Sequence, residues 1–167
     1  MANKHCVVRT DRMFGTDVGQ GLRSMRFYGA DDKVAEVENG VIVHLEGLED
    51  AQREVHKVVA ATAGAKLTEC ALVANPEVMY DERLRNLDDY INEAGKAIRG
   101  YILHSNDEFS VTPEGFVNKV VPAVGDEVGI GADGKIDAAG TGLGKCSHIE
   151  QAGRYTYYTI LVGVTEA

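Results

Sequence analysis

"GIGADG", residues Gly129 to Gly134, decides between two folds. Its letters match Gly-x-Gly-x-x-Gly, the loop that leaves a strand, opens a helix and sets a pyrophosphate on the free N–H groups at the helix start. Close behind it, "GTGLGKC" (Gly140 to Cys146) has the look of a phosphate-binding loop. Both readings fail on context. Gly134 is followed by "KIDAAGTG", which has no helical stripe and too short a run before the next glycine. The acid needed roughly 20 residues further on for a ribose falls on Glu150, inside another strand pattern. In the second motif the first required glycine falls on Ala139, and Cys146 stands where Ser or Thr would hold Mg²⁺. "ADGK" reads instead as a hairpin turn needing positive φ at Gly134. The other glycines suit bulges and tight corners. The sequence therefore predicts antiparallel strands over residues 124–164, with turns at Ala132 to Gly134 and Gln151 to Gly153, and no nucleotide.

The same pattern extends towards the N-terminus. "VENGVIVHL" carries Asn39-Gly40, a strong hairpin signal, ahead of a strand with Val41, Val43 and Leu45 on one side and Ile42 and His44 on the other. "REVHKVV" alternates with mixed faces, and "ECALVA" (Glu69 to Ala74) reads as a short buried strand. "RGYIL" and "EFSVT" are strands joined by "HSND", a polar hairpin turn, and "TPEG" (Thr112 to Gly115) is a turn with Pro in second place. One stretch changes period. Asn75 can cap a helix and Pro76 can open it. Leu84, Leu87, Ile91 and Ala94 form a helical stripe, and Gly95 fits a C′ position. The predicted class is mainly β, a β-barrel or β-sandwich-like domain, with one short α-helix around residues 77–94. Residues 1–22 read as an N-terminal arm and residues 23–167 as a single β-rich domain carrying the helix.

A chain of 167 residues and 18.0 kDa is long enough to bury about two-thirds of its unfolded surface. The net charge of −9 argues against nucleic acid and against an anionic membrane surface. No stretch approaches the length of an apolar membrane span. The charge is uneven: residues 1–30 hold five basic and two acidic residues, a net of +3, while residues 31–167 hold 12 basic and 24 acidic, a net of −12. Cys6, Cys70 and Cys146 are odd in number and far apart, which is not a disulfide framework and fits a reducing cytoplasm.

Constellations that could carry chemistry each meet a plainer reading. Cys146 and His148 share a strand face and, with His5 and Cys6, would total four zinc ligands. Neighbours on a strand point apart, however, so His5 and Cys6 converge poorly. His104, Ser105 and Asp107 have the letters of a triad, but triad members meet across a fold, so a polar turn is the better account. Asp88 and Asp89 diverge on a helix and read as a solvated face. The sequence thus assigns no catalytic residue, metal or cofactor. In "RYTYYTILV", Tyr155, Tyr157 and Thr159 share one face and Thr156, Tyr158 and Ile160 the other. One face lines a core; the other is a sheet exterior or a contact surface.

The chain resembles the capsid decoration (head-stabilising, cement) proteins of tailed bacteriophages. The stretches that carry the resemblance are "VVRTDRMFGT", "VENGVIVHLEGL", "VANPEVMYDERLRNLDDYINEAGKAIRGY", "FSVT", "VGDEVGIGADGKIDAAGTGLGKCSHIE" and "GRYTYYTILV". The resemblance implies a small β-barrel-like module, made in the host bacterial cytoplasm, that binds the outer surface of the major capsid protein lattice. It implies homo-oligomers, often trimers near local threefold positions, and no catalysis, nucleic acid or membrane. Another virion subunit, such as a tail-tube or head-completion protein, is the alternative; a small-molecule-binding or hydrolytic enzyme is a further one. The basic arm, with Val7, Val8, Arg9, Arg12, Met13 and Phe14, is the expected partner-binding element: its charge would steer and its apolar residues would anchor.

Overall fold

Val41, Val43 and Leu45 alternate with Ile42 and His44, and the alternation sends Ile42 to a different core from its neighbours. The computed structural model describes residues 4–13, 21–81 and 86–163, with Arg12 described by its backbone alone. Strands β1 (Leu22–Phe27), β2 (Ile42–Leu48), β3 (Val55–Ala60), β4 (Cys70–Val73) and β5 (Ile98–Ile102) close into a barrel in the order β1-β3-β2-β4-β5. Only the β1–β3 pairing in it is parallel. The inward residues, Met25, Val43, Val58, Ala71, Val73 and Ile98, bury one another. Gly100 faces Met25: an added Cβ would lie 2.3 Å from the Met25 methyl, so the thioether fills the space left by the missing side chain.

Strands β6 (Glu108–Val111), β7 (Glu127–Ile130), β8 (Ile136–Asp137), β9 (Gly142–Ala152) and β10 (Tyr155–Val162) form a second sheet, ordered β6-β10-β9-β7-β8. Its apolar face packs on the outer face of the barrel. Ile42, Cys70 and Leu72 from the barrel join Phe109, Phe116, Ile136, Leu143, Cys146 and Ile160 in one buried cluster. Fold class is therefore mainly β, as the sequence predicts, and the barrel accounts for its first half.

The turn at Ala132–Gly134 is a single 3₁₀ turn between the antiparallel strands β7 and β8, so no nucleotide-type helix opens there. Gly153 takes the positive φ of 62° at the tip of the β9–β10 hairpin, within a residue of the expected place. Two local expectations need correction. "HSND" does not close a hairpin, because β5 pairs with β1 and β4 whereas β6 pairs with β10; the turn carries the chain from barrel to sheet. Nor do residues 77–81 and 86–94 form the expected α-helix; residues 82–85 lie outside the described residues. Leu87–Asp89 is a 3₁₀ turn, and Asn92 bridges Val37 in extended geometry. The cause is a polar network. The buried Asn39 amide donates to Asn75 O at 2.8 Å and accepts from Asn75 N–H at 3.0 Å and Asn92 Nδ2 at 3.0 Å. Tyr90 Oη joins Asn75 to Asn92. These bonds satisfy the backbone in an extended path, while a single helix gains little from its own stripe without a partner face.

Gly134 tests the joint between barrel and sheet. Its φ is +71°, and an added Cβ would sit 2.1 Å from the Ile42 carbonyl oxygen. Gly153 has a similar φ but open space around it. Gly134→Ala is expected to cost about 2–5 kcal/mol, combining backbone strain and overpacking, and Gly153→Ala about 1–2 kcal/mol from strain alone. Urea denaturation of both variants checks this; equal losses would mean that the close approach does not matter.

Candidate functional site

The N-terminal segment, expected as an attachment arm, is part of the fold over its described residues 5–13. Val8 bridges Val111, Arg9 N–H donates to Ser110 O at 3.0 Å, and Thr112 N–H donates to Val7 O at 3.1 Å. The segment thus adds a short strand to the β6 edge. Consecutive β-branched residues alternate faces, so Val7 packs on Tyr155 and Tyr157 while Val8 enters the large core. Neither valine is exposed, so in this fold Val7 and Val8 anchor the segment to its own sheet rather than to a partner, and the described residues 5–13 are not a separate arm. Met13 is partly buried against the same core. Arg9 lies 5.3 Å from the centre of the Tyr157 ring and meets Asp11 at 2.8 Å and Glu150 at 3.3 Å. Arg12 belongs to the 3₁₀ turn Thr10–Arg12, and Phe14 lies outside the described residues.

Asp88, expected on a solvated face, is 4% exposed. It accepts from Lys4 N–H at 3.2 Å and Tyr155 Oη at 2.7 Å, and Arg154 donates to it from the hairpin tip. Arg154 also stacks on Tyr155, 4.8 Å from the ring centre. One carboxylate therefore ties the N-terminus, the loop at 86–89 and the β9–β10 hairpin together. Burial by itself would raise its pKa; the Tyr155 hydroxyl, the Lys4 amide and the Arg154 charge outweigh it and hold the carboxyl below its usual range. No composition or spacing signal marks Asp88, because its partners lie 66 or more residues away.

The remaining motifs stay apart chemically. His104 Nδ1 and Asp107 Oδ2 are 3.5 Å apart, but the Asp107 carboxylate also caps the His104 N–H at 2.8 Å, as in a polar turn. Cys146 is buried in the core while His148 is exposed, and Cys6 sits beneath Gly40 and Gly115. Among the described residues no three His, Cys, Asp or Glu side chains gather as metal ligands would. Burial pushes the Cys6 thiol up to about 12 and Cys70 up to about 11, and raises Cys146 as well. A cleft of about 490 Å³ opens beside the barrel, floored by Phe27, Val41 and Val59 and rimmed by Glu36, Glu38 and Lys135. Lys135 meets Glu38 at 3.5 Å and donates to Glu114 O at 3.0 Å, so the rim's cation is bound internally.

No family model, curated protein or solved structure matches the chain. The surface itself offers a more specific feature. Residues 117–126 leave the core with Val120 59%, Val121 36% and Val124 58% exposed. The loop is braced at both ends. Lys119 N–H and Val120 N–H bond back to Phe116 O and Val117 O, and Asn118 and Lys119 take positive φ. Asp126 caps Ala123 N–H at 2.8 Å, and Gly125 N–H reaches Cys146 O at 2.8 Å. A second exposed apolar group, Val78 and Tyr80, lies near Leu87 in sequence, and Tyr80 is 91% exposed. Among the described residues no helix is long and apolar enough to cross a membrane.

Asp88→Asn is expected to lower stability by about 2 kcal/mol at pH 7, where charged hydrogen bonds are lost. A depressed carboxyl stabilises fully above its unfolded value of about 3.9 and loses that contribution as pH falls through the folded value. The gap between wild type and variant should therefore narrow below about pH 4, measured by denaturation across pH 7 to 2. The thiols give a second check: Cys6, Cys70 and Cys146 should be inert to a disulfide reagent in the native protein and all react in denaturant. Fast labelling of the folded chain would contradict their burial.

Proposed function

We propose that the chain is a structural virion protein that decorates and stabilises a bacteriophage capsid by binding the outer surface of the major capsid protein lattice, with no catalysis of its own. The observation that carries the reading is the braced loop with Val120, Val121 and Val124 exposed. Exposed valines on a fixed backbone lose little entropy on docking, and three of them within five residues suit an interaction surface. Three further points support the reading. The resemblance implies a β-barrel-like module, and the first half of this chain is a closed barrel. The net charge of −9 keeps the surface from sticking to packaged nucleic acid. Many copies on a repeating lattice gain avidity from modest contacts. Synthesis in the host cytoplasm, a place on the capsid exterior and a homo-oligomeric state belong to the same proposal.

The test is co-sedimentation with shells assembled from the major capsid protein of a tailed bacteriophage. The full chain should pellet with the shells. A V120D/V124D double variant should bind at least about tenfold more weakly while keeping its melting temperature, since both residues are exposed. A wild-type chain that stays in the supernatant would refute the capsid reading. Equal binding by the double variant would remove the loop as the docking surface.

A further inference from the structure

The β9–β10 hairpin outruns the strands beside it. β7 pairs with β9 at Gly142, Gly144 and Lys145, and the loop before β7 bonds to Cys146. Past the bulge at Ser147, residues 148–152 pair with β10 on one side and with no described strand on the other. Elsewhere the edges are managed: the first sheet is closed, Val8 covers β6, and two-residue β8 is bridged by Phe116. His148, Ile149 and Gln151 are exposed along the open stretch.

The geometry points to a self-pairing edge: we propose that residues 148–152 join two copies of this chain in an antiparallel, two-fold dimer centred on Ile149. The backbone parity is right. A two-residue turn is closed by a pair that exchanges both hydrogen bonds, here Ala152 and Tyr155. Alternation then turns the backbone groups of Glu150 and His148 inward to β10 and those of Ile149 and Gln151 outward. Ile149 on the axis can donate to and accept from Ile149 of the second copy.

The side chains agree with that register. "SHIEQ" (Ser147 to Gln151) is self-complementary when reversed about its centre: His148 faces Glu150 of the second copy, Ser147 faces Gln151, and Ile149 meets itself. His148 pairs with Thr159 and Glu150 with Tyr157, so both lie on one sheet face. Each His148–Glu150 pair would be of the closer, non-hydrogen-bonded kind. An imidazole N–H donates to a carboxylate in either protonation state, and Arg9, 3.3 Å from Glu150, holds that carboxylate on the face. Centring on Glu150 instead would set carboxylate against carboxylate and aim the wrong backbone groups outward. The edge is short, so the dimer is a weak one. The inference does not rest on the capsid proposal.

Sedimentation velocity of the full chain from micromolar to millimolar concentration tests it. The wild type should dimerise as concentration rises, with the Ile149 and Gln151 amides slowing in hydrogen exchange. H148E, which opposes like charges, and I149P, which removes the axial donor, should each weaken association at least about tenfold. A mixture of the H148E chain with an E150K chain, which again opposes unlike charges, should regain the dimer. Melting temperatures confirm that each chain is folded, and H148E, at an exposed position, decides the matter if I149P fails to fold. A wild type that stays monomeric throughout overturns the proposal. So does an association that H148E leaves intact, which would place the interface elsewhere.

Discussion

The approach of the Gly134 turn to the Ile42 carbonyl fixes how far the second sheet stands from the barrel. No side chain fits between them at that point. The same Ile42 carbonyl accepts from Ala61 N–H at 3.0 Å, so the oxygen against which the turn lies is held by the barrel's own bonding. With that separation set, Ile42 and Leu72 on one side and Phe109, Leu143 and Ile160 on the other join one buried cluster. The barrel keeps a separate interior. β2 serves both cores because its residues alternate, which is why a polar substitution at Ile42 and one at Val43 would damage different halves of the molecule.

Hydrophobic packing covers the strands, and buried polar side chains organise what lies between them. The Asn39 amide and the Asp88 carboxylate each bond to two distant segments. Each of these groups would be costly to bury alone, and each is satisfied by backbone or side chains from far along the sequence. The described residues of the segment from 75 to 96 owe their irregular course to them. These residues have neither a helix's internal bonding nor a strand's continuous ladder, and they are ordered from outside.

The features legible in the sequence were the local ones. Gly134 and Gly153 announce their turns because positive φ at those places leaves few other residues possible, and "ECALVA" announces β4 by its unbroken apolar run, all four strand residues of which are buried. The class followed from such signals. What could not be read was set by distant partners. Leu87 and Ile91 have helical spacing, but Asn92 is claimed by Val37 and Asn39 across more than fifty residues. Asp88 looks like any surface acid until Tyr155 and Arg154 are placed beside it. Val7 and Val8 were correctly seen as apolar and unattached to a local element; that their element was the β6 edge, more than a hundred residues later, is a fact of topology. The exposure of Val120, Val121 and Val124 was equally hidden, because an apolar run before a strand usually reads as core.

The stitching of residues 4–9 to residues 88 and 110–112 and to the β9–β10 hairpin has a kinetic meaning. A chain emerging from the ribosome presents Val7 before Tyr155 and Tyr157, on which it packs, and Val8 before Val111, which it bridges. The barrel can close earlier, since all five of its strands lie before residue 103. The sheet and the N-terminal strand must wait until β10 has been made. Folding should therefore finish in a late, non-local step with a long loop to close, the kind of step that makes β-topologies slow. Once made, the same closure ties residues 4–9 to the β9–β10 hairpin through Asp88, Tyr155 and Tyr157, so that neither can leave without breaking the other's contacts.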